Sequence, residues 1–248
     1  MSIRTITYRG VDLYTQYGLI VQKQNALSAP ERDVESVEVP GRNGNLILDK
    51  GRFKNRPLSY TMVIAPWLAS TAAPLIDTAR GLRNWLLSEY GYGQLLDSKT
   101  PGYFAQAAYY AAFDITEIAP EAGTVPLQFD AKPYYYSLAG QAAVAATGSP
   151  YTLTNPEYFA ALPYIKLTGS GTGTLAVTNA AGQKIFQFTG LSGYIELDSE
   201  QKTVFKGTQP AGTNMITIDF PVLTPGSNVL EFTGGITRLD ITPRWCSL

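Results

Sequence analysis

Histidine is absent from the 248 residues, and cysteine occurs once, at Cys246. The first absence removes the side chain that most often moves protons near neutral pH and most often holds a metal. The second excludes an internal disulfide and a thiolate zinc site, which needs several ligands. Charge is scarce too: 16% of residues are Asp, Glu, Lys or Arg, nineteen basic against twenty acidic, for a net charge of −1. A chain that grips nucleic-acid phosphates carries a basic excess or stripe. None is found here, so contact with DNA is expected to be non-specific passage. No apolar run approaches the ~20 residues that span a bilayer, and Met1–Thr5 lacks the apolar core of a signal peptide. No membrane insertion is expected, and synthesis in a reducing cytoplasm fits the lone thiol.

What is present is apolar and aromatic. Apolar residues make up 45% of the chain, with sixteen Tyr and ten Phe, a composition that builds packed cores and not disorder. The length admits one large β domain or two of roughly 100–150 residues. Ile3–Tyr8 and Tyr17–Gln22 read as strands about a turn at Arg9–Asp12. Glu35–Val39 alternates charged and apolar residues, the period of a half-buried strand. Pro40-Gly41 and Asn43-Gly44 then punctuate the chain as hairpin signals. Leu46–Asp49 and Leu58–Ala65 follow as strands, separated by Lys50-Gly51 and Asn55-Arg56-Pro57.

One helix is expected over Pro74–Tyr90, with Pro74 opening it, an apolar face of Ile76, Ala79, Leu82 and Leu86 beside Trp85, and Gly91 as the stop. Strands return at Gln94–Asp97, Tyr103–Ile118 and Thr124–Ala131. One helix among strands suggests an α+β, split-barrel-like domain over residues 1–137. Residues 138–150, rich in Ala, Gly, Ser and Thr, read as a linker or a poorly specified strand beside a loop. Residues 151–248 show about eight short strands broken by Gly, Asn or Pro: Tyr164–Thr168, Gly173–Asn179, Lys184–Thr189, Tyr194–Asp198, Thr203–Lys206, Asn214–Asp219, Ser227–Thr233 and Thr237–Thr242. That spacing predicts a β-sandwich, so the chain is mainly β.

No segment gathers the groups of a catalytic, cofactor or metal site. Gly169-Ser170-Gly171-Thr172-Gly173 lacks the lysine and following helix of a phosphate loop and reads as a hairpin turn. Ser199-Glu200-Gln201-Lys202 has Ser-x-x-Lys spacing without the two companion motifs of the serine enzymes that use it, and reads as a solvated turn. Glu31, Asp33, Glu35 and Glu38 lie close enough in sequence for paired-carboxylate chemistry; Glu31 and Asp33 fall in a polar loop, and a solvated face accounts for the group. Tyr103, Phe104, Tyr109, Tyr110, Phe113 and Tyr134–Tyr136 are expected in core and subunit interface, where tyrosine offers large area with one polar handle.

The Pro40-Gly41-Arg42-Asn43-Gly44 turn, the Trp85-Leu86 pair, the Lys132-Pro133-Tyr134 step and the terminal Pro243-Arg244-Trp245 occur in the order and spacing of the distal tail proteins of long-tailed phages. The chain resembles that family along nearly its whole length. The resemblance implies a C-terminal sandwich of galectin-like fold and a structural virion protein at the distal end of the tail. Six copies would form a ring whose N-terminal domains continue the tail tube around a channel for DNA. Tail tube protein, a tail-associated lysin or tip protein, and receptor-binding or other baseplate proteins would be its partners. The role of Pro40–Gly44 within the family turn is not specified by the resemblance. The alternative is a carbohydrate-binding module for the host surface, using exposed aromatics such as Tyr151, Tyr158 or Tyr164. Galectins hold sugar with a histidine, which this chain lacks, so the sandwich is expected to be an attachment platform.

Overall fold

The computed structural model describes residues 3–24 and 28–248; Met1 and Ser2, which begin the segment read for a signal peptide, lie outside them. The chain divides into two compact units, Met1–Tyr135 with Leu248, and Tyr136–Ser247.

The first unit opens with β1 (Ile6–Tyr8) and β2 (Val11–Asp12), paired about Arg9-Gly10, where both residues take positive φ. Asp12 then caps a helix the sequence reading missed, α1 (Leu13–Tyr17): its carboxylate accepts from the Tyr14 and Thr15 N–H groups at 2.8 and 3.4 Å. Five residues are too few to show a helical period. Gly18 ends α1 at φ 66°, and a Cβ there would stand 2.1 Å from the Ala65 carbonyl oxygen, so only glycine fits.

There follow β3 (Leu19–Gln24), β4 (Arg32–Val37), β5 (Leu46–Phe53), β6 (Arg56–Ile64), α2 (Leu75–Ser88), β7 (Gly93–Asp97), β8 (Tyr103–Ala108), β9 (Thr116–Ala119) and β10 (Ala122–Ser137). One antiparallel sheet runs in the order β2-β1-β7-β8-β10-β6-β3, with β9 also on β10, while among the described residues β4 and β5 pair only with each other. Alternation sets the core. Leu58, Tyr60, Met62 and Ile64 of β6 and Val125, Leu127, Phe129 and Ala131 of β10 all point inward. Register places Phe129 opposite Leu58 and Leu127 opposite Tyr60.

Helix α2 buries Ala79, Leu82 and Leu86 in this unit, and each fully buried leucine contributes about 1.5–3 kcal/mol. Trp85 meets Tyr8 edge-on at 5.9 Å and Tyr17 at 5.8 Å. Two expectations are corrected here. Ile76 is 70% exposed, because the buried stripe runs through Thr78 and Ala79 instead. Pro74 precedes the helix as its cap, and the Leu75 N–H is satisfied by Glu121 Oε2 at 2.6 Å.

The second unit holds β11 (Val144–Ala146), β12 (Tyr151–Asn155), β13 (Tyr164–Asn179), β14 (Gly182–Asp198), β15 (Thr203–Lys206), β16 (Gln209–Pro210) and β17 (Gly226–Thr242). Its sheet runs β11-β17-β13-β14-β15-β16, with β12 also on β17. Residues 138–150, where a linker or a poorly specified strand beside a loop was expected, contain the 3-10 turn Ala139–Gln141 and the short strand β11, which pairs with β17 from Val144↔Ile241 to Ala146↔Leu239.

Six of the expected short strands are halves of three long ones, β13, β14 and β17. The Gly169–Gly173 segment is no hairpin turn. It is an irregular bend within β13, and register shifts there against both neighbours. Gly169 sits opposite Gly193 of β14, and Gly173 opposite Gly234 of β17, so glycines of three adjacent strands share one crease. Side chains are excluded from it: a Cβ on Gly169 would lie 2.4 Å from the Gly235 carbonyl oxygen, and one on Gly235 only 1.6 Å from that of Ser170. Residues from both sides of the crease then bury into a single core, Ile165, Leu167, Ile195 and Leu239 with Leu175, Phe186, Phe188 and Phe232. The sandwich is one creased sheet and not two sheets of short strands. Asn214–Asp219, expected as a strand, begins in a 3-10 turn and runs beside β14 through irregular bonds, Ile216 N–H to Gln187 O at 2.9 Å among them.

The end of the second unit is locked by charge. Arg244 donates through Nη1 and Nη2 to the two oxygens of buried Asp198 at 2.8 and 2.9 Å, and its N–H donates to Gly140 O at 2.8 Å. Ser137 N–H donates to the Trp245 carbonyl at 2.9 Å. Thr237–Thr242 is thereby part of the second unit, as the second half of β17.

Candidate assembly site

Strands β4 and β5 form a two-stranded ribbon carrying the Pro40–Gly44 segment. Pro40, Gly41, Arg42, Asn43 and Gly44 all lie exposed in the eight-residue loop between Val37 and Leu46, which face each other in register. Gly41 and Gly44 both take φ 79°, and Arg42 N–H bonds Val39 O at 3.2 Å. The Asn-Gly pair therefore closes a wide loop and not a two-residue turn.

Pairing puts Val34, Ser36, Ile47 and Asp49 on one face of the ribbon and Glu35, Val37, Leu46 and Leu48 on the other. Both faces carry aliphatic side chains, and Ile47 is 67% exposed. The consecutive Leu46-Ile47-Leu48 is the sequence sign of this, since a strand buried on one face alternates and one covered on both does not. A lone two-stranded ribbon is marginal in water, so this arm has apolar surface to cover on each side, and among the described residues no strand pairs along its outer edges.

Ion pairs hold the base of the arm. Asp33, expected in a solvated loop, lies inside β4 and is 5% exposed. It accepts from Arg52 Nε at 2.7 Å, with Lys50 Nζ at 3.6 Å. The bond from Arg52 is the main reason its carboxyl sits below the ordinary carboxylate range. Register slips here, with Arg32 opposite Phe53 but Val34 opposite Asp49, so Lys50 to Arg52 bulge opposite Asp33, and Lys50-Gly51 is part of β5 where a break was expected. Arg32 Nε donates to Asp49 at 2.9 Å and its guanidinium lies over Phe53. Below these, buried Arg56 stacks 4.1 Å from the Tyr135 ring and donates to Ser28 O at 3.0 Å.

The remaining sequence candidates separate. Phe104 and Tyr109 are core, whereas Tyr110 is 69% exposed. Tyr151 packs against the second core. Tyr164 is committed as well: its hydroxyl meets Glu196 at 2.5 Å and Arg244 lies over its ring at 5.6 Å. Tyr158 alone of that trio stands free, at 89% exposure. Ser199 is 1% exposed, because Asp198 accepts from the Glu200 and Gln201 N–H groups and turns the chain inward; its hydroxyl cannot meet a substrate. A second aliphatic patch, invisible to periodicity, gathers Ile185 of β14 with Ile216 and Ile218 beside it, the last 95% exposed. No helix among the described residues is long and apolar enough to cross a membrane, which says nothing of a β-barrel.

Two creased or twisted β units in this order are found together in a solved protein. The crystal structure of SPP1 Dit (gp 19.1) superposes at a TM-score of 0.72, matching 97% of this chain and 98% of its own, with 17% identity. This chain has the fold of SPP1 Dit. That protein is described as a paradigm of the hub adsorption apparatus in phages that infect Gram-positive bacteria. The Dit likeness spans both units, so the mainly β architecture is shared end to end. No protein-family model and no curated protein matches the sequence.

Proposed function

We propose that this chain is a structural virion protein, a distal tail hub that joins the tail tube to the tail tip. The observation that carries the proposal is the full-length match of both units to a hub adsorption protein. The β4–β5 arm supports self-assembly: its two aliphatic faces and open edges suit insertion between neighbouring copies, and a head-to-tail contact of that kind closes into a ring. In this reading six copies surround a channel, and the first unit meets the tail tube protein on one side and a tail-associated lysin or tip protein on the other. The second unit, with its Ile185, Ile216 and Ile218 patch, presents a platform for receptor-binding or other baseplate proteins. A net charge of −1 suits DNA that passes without sticking. The protein would be made in the cytoplasm of the bacterial host and function without cofactor or catalysis.

Light scattering on the full chain, followed by negative-stain imaging of the same peak, tests this. Six copies of 26.9 kDa make about 161 kDa, twice that for paired rings. A ring with a central hole is expected; a 27 kDa monomer at every concentration and in the presence of tail tube protein would refute the proposal.

A further inference from the structure

A cleft of about 290 Å3 opens on the outward face of the first unit, at the end of β8. Its floor is Pro57, Ala108 and Ala111, and its polar rim is Gln128 and Asp130, which share the outward face of β10. Tyr110 forms one wall and hydrogen-bonds Asp130 through its hydroxyl. Asn55 Nδ2 donates to Asp130 Oδ2 at 2.8 Å and bonds the Tyr92 hydroxyl at 2.5 Å. Two exposed tyrosines are thus tethered by their hydroxyls to one carboxylate–amide pair; the Tyr110 ring lines the cleft, and the Tyr92 ring, beside it, lies under Lys132 Nζ at 5.3 Å.

We propose that this cleft binds a neutral saccharide, one pyranose ring in size. The chemistry of the lining selects that class. A pyranose offers a C–H face to an aromatic ring, whose negative face attracts those hydrogens. Its hydroxyl rim offers neighbouring donors and acceptors, which suit the planar groups of Asp130, Asn55 and Gln128. The bonds among Tyr110, Asp130, Asn55 and Tyr92 fix these groups before any ligand arrives, which lowers the ordering cost of binding. Asp130 repels phosphate, so a nucleotide or DNA backbone is disfavoured. The volume lies at the lower edge of small-molecule sites, about 300 Å3, which limits the ligand to a single ring. All of its lining residues belong to the first unit.

Saturation-transfer NMR on the full chain tests this, with glucose, galactose and N-acetylglucosamine as probes at millimolar concentration. Transfer to the ring C–H protons of at least one probe is expected. Tyr110→Ala and Asp130→Asn should each weaken that signal by about tenfold or more, while Tyr158→Ala leaves it unchanged. Both positions are at the surface, and circular dichroism of each variant confirms that it is folded. Absence of transfer from all three sugars overturns the proposal. So does transfer that survives both cleft variants, or that disappears with Tyr158→Ala.

Discussion

Replacing Arg244 by methionine should loosen the second unit alone. Asp198 is 4% exposed and accepts four hydrogen bonds, two from Arg244 at 2.8 and 2.9 Å and two from the Glu200 and Gln201 N–H groups at 3.0 and 3.1 Å. Methionine keeps most of the apolar stem but removes the guanidinium that lies over the Tyr164 ring and leaves the carboxylate without its charged partner. Breaking a buried pair costs about 3–5 kcal/mol. The two surviving N–H bonds and partial exposure of the guanidinium bring the expectation to about 2–4 kcal/mol. Native-state hydrogen exchange reads this unit by unit: amides of β13 and β14 should exchange roughly thirty- to several-hundred-fold faster, with β6 and β10 amides before Tyr136 unchanged. Adding Asp198→Asn should return part of the loss, a coupling of about 1–3 kcal/mol. A loss below about 0.5 kcal/mol, or purely additive single changes, would refute the lock. The pH dependence has a definite sign. Burial, the largest influence, pushes the Asp198 carboxyl up, but Arg244 and the two N–H groups together hold it below 3.8. A depressed carboxyl contributes stability that is present above its unfolded value and lost as pH falls through the folded one. Arg244→Met should therefore flatten the acid limb of the second unit below pH 3.8.

Gly235→Ala should destabilise the second unit by about 1–3 kcal/mol or more, since its Cβ would sit 1.6 Å from Ser170 O. Gly148→Ala, in open space, should stay within about 0.5 kcal/mol by thermal melt. Cys246 is buried with its thiol toward Ala160 O at 3.6 Å, and burial, with Glu157 and Glu200 adding, pushes it up to about 12. Ellman's reagent at pH 8 should leave the native thiol unreacted and modify it fully in urea. Because this pKa is raised above 9.0, its stabilising share fades as pH climbs past that value. Ile47→Asp on the arm should shift the light-scattering mass from ring to monomer while the melting transition moves by less than about 0.5 kcal/mol.

The parts of the fold legible in the sequence are those where one physical signal acts alone. The alternation in Leu58–Ile64 and Val125–Ala131 and the stripe through Ala79, Leu82 and Leu86 each mark a single buried face. Ile76 was misplaced because a helical period fixes spacing but not where the stripe begins. The Gly169–Gly173 segment was misread because glycine serves both a reversal and a crease, and the choice is made by Gly193 and Gly234 on neighbouring strands. Asp33 looked solvated because Arg52, its partner, lies nineteen residues away on the facing strand. The cleft was illegible for the same reason. Asn55, Tyr92, Tyr110 and Asp130 come from four separate segments, and only the sheet order brings them together.

The place of β17 also sets the timetable by which this protein is made. It lies between β13 on one side and β11 and β12 on the other, yet it is synthesised after all three. The first unit's strands can pair while synthesis continues, and β13 can close on β14 as a local hairpin. Strand β12 must wait more than about seventy residues, and β11 more than about ninety, for β17, their one strand partner among the described residues, with their edges bare and unable to nucleate anything stable. The second unit consequently matures in one late step, and a ribosome that stalls before Gly226 releases a chain whose second unit is unclosed.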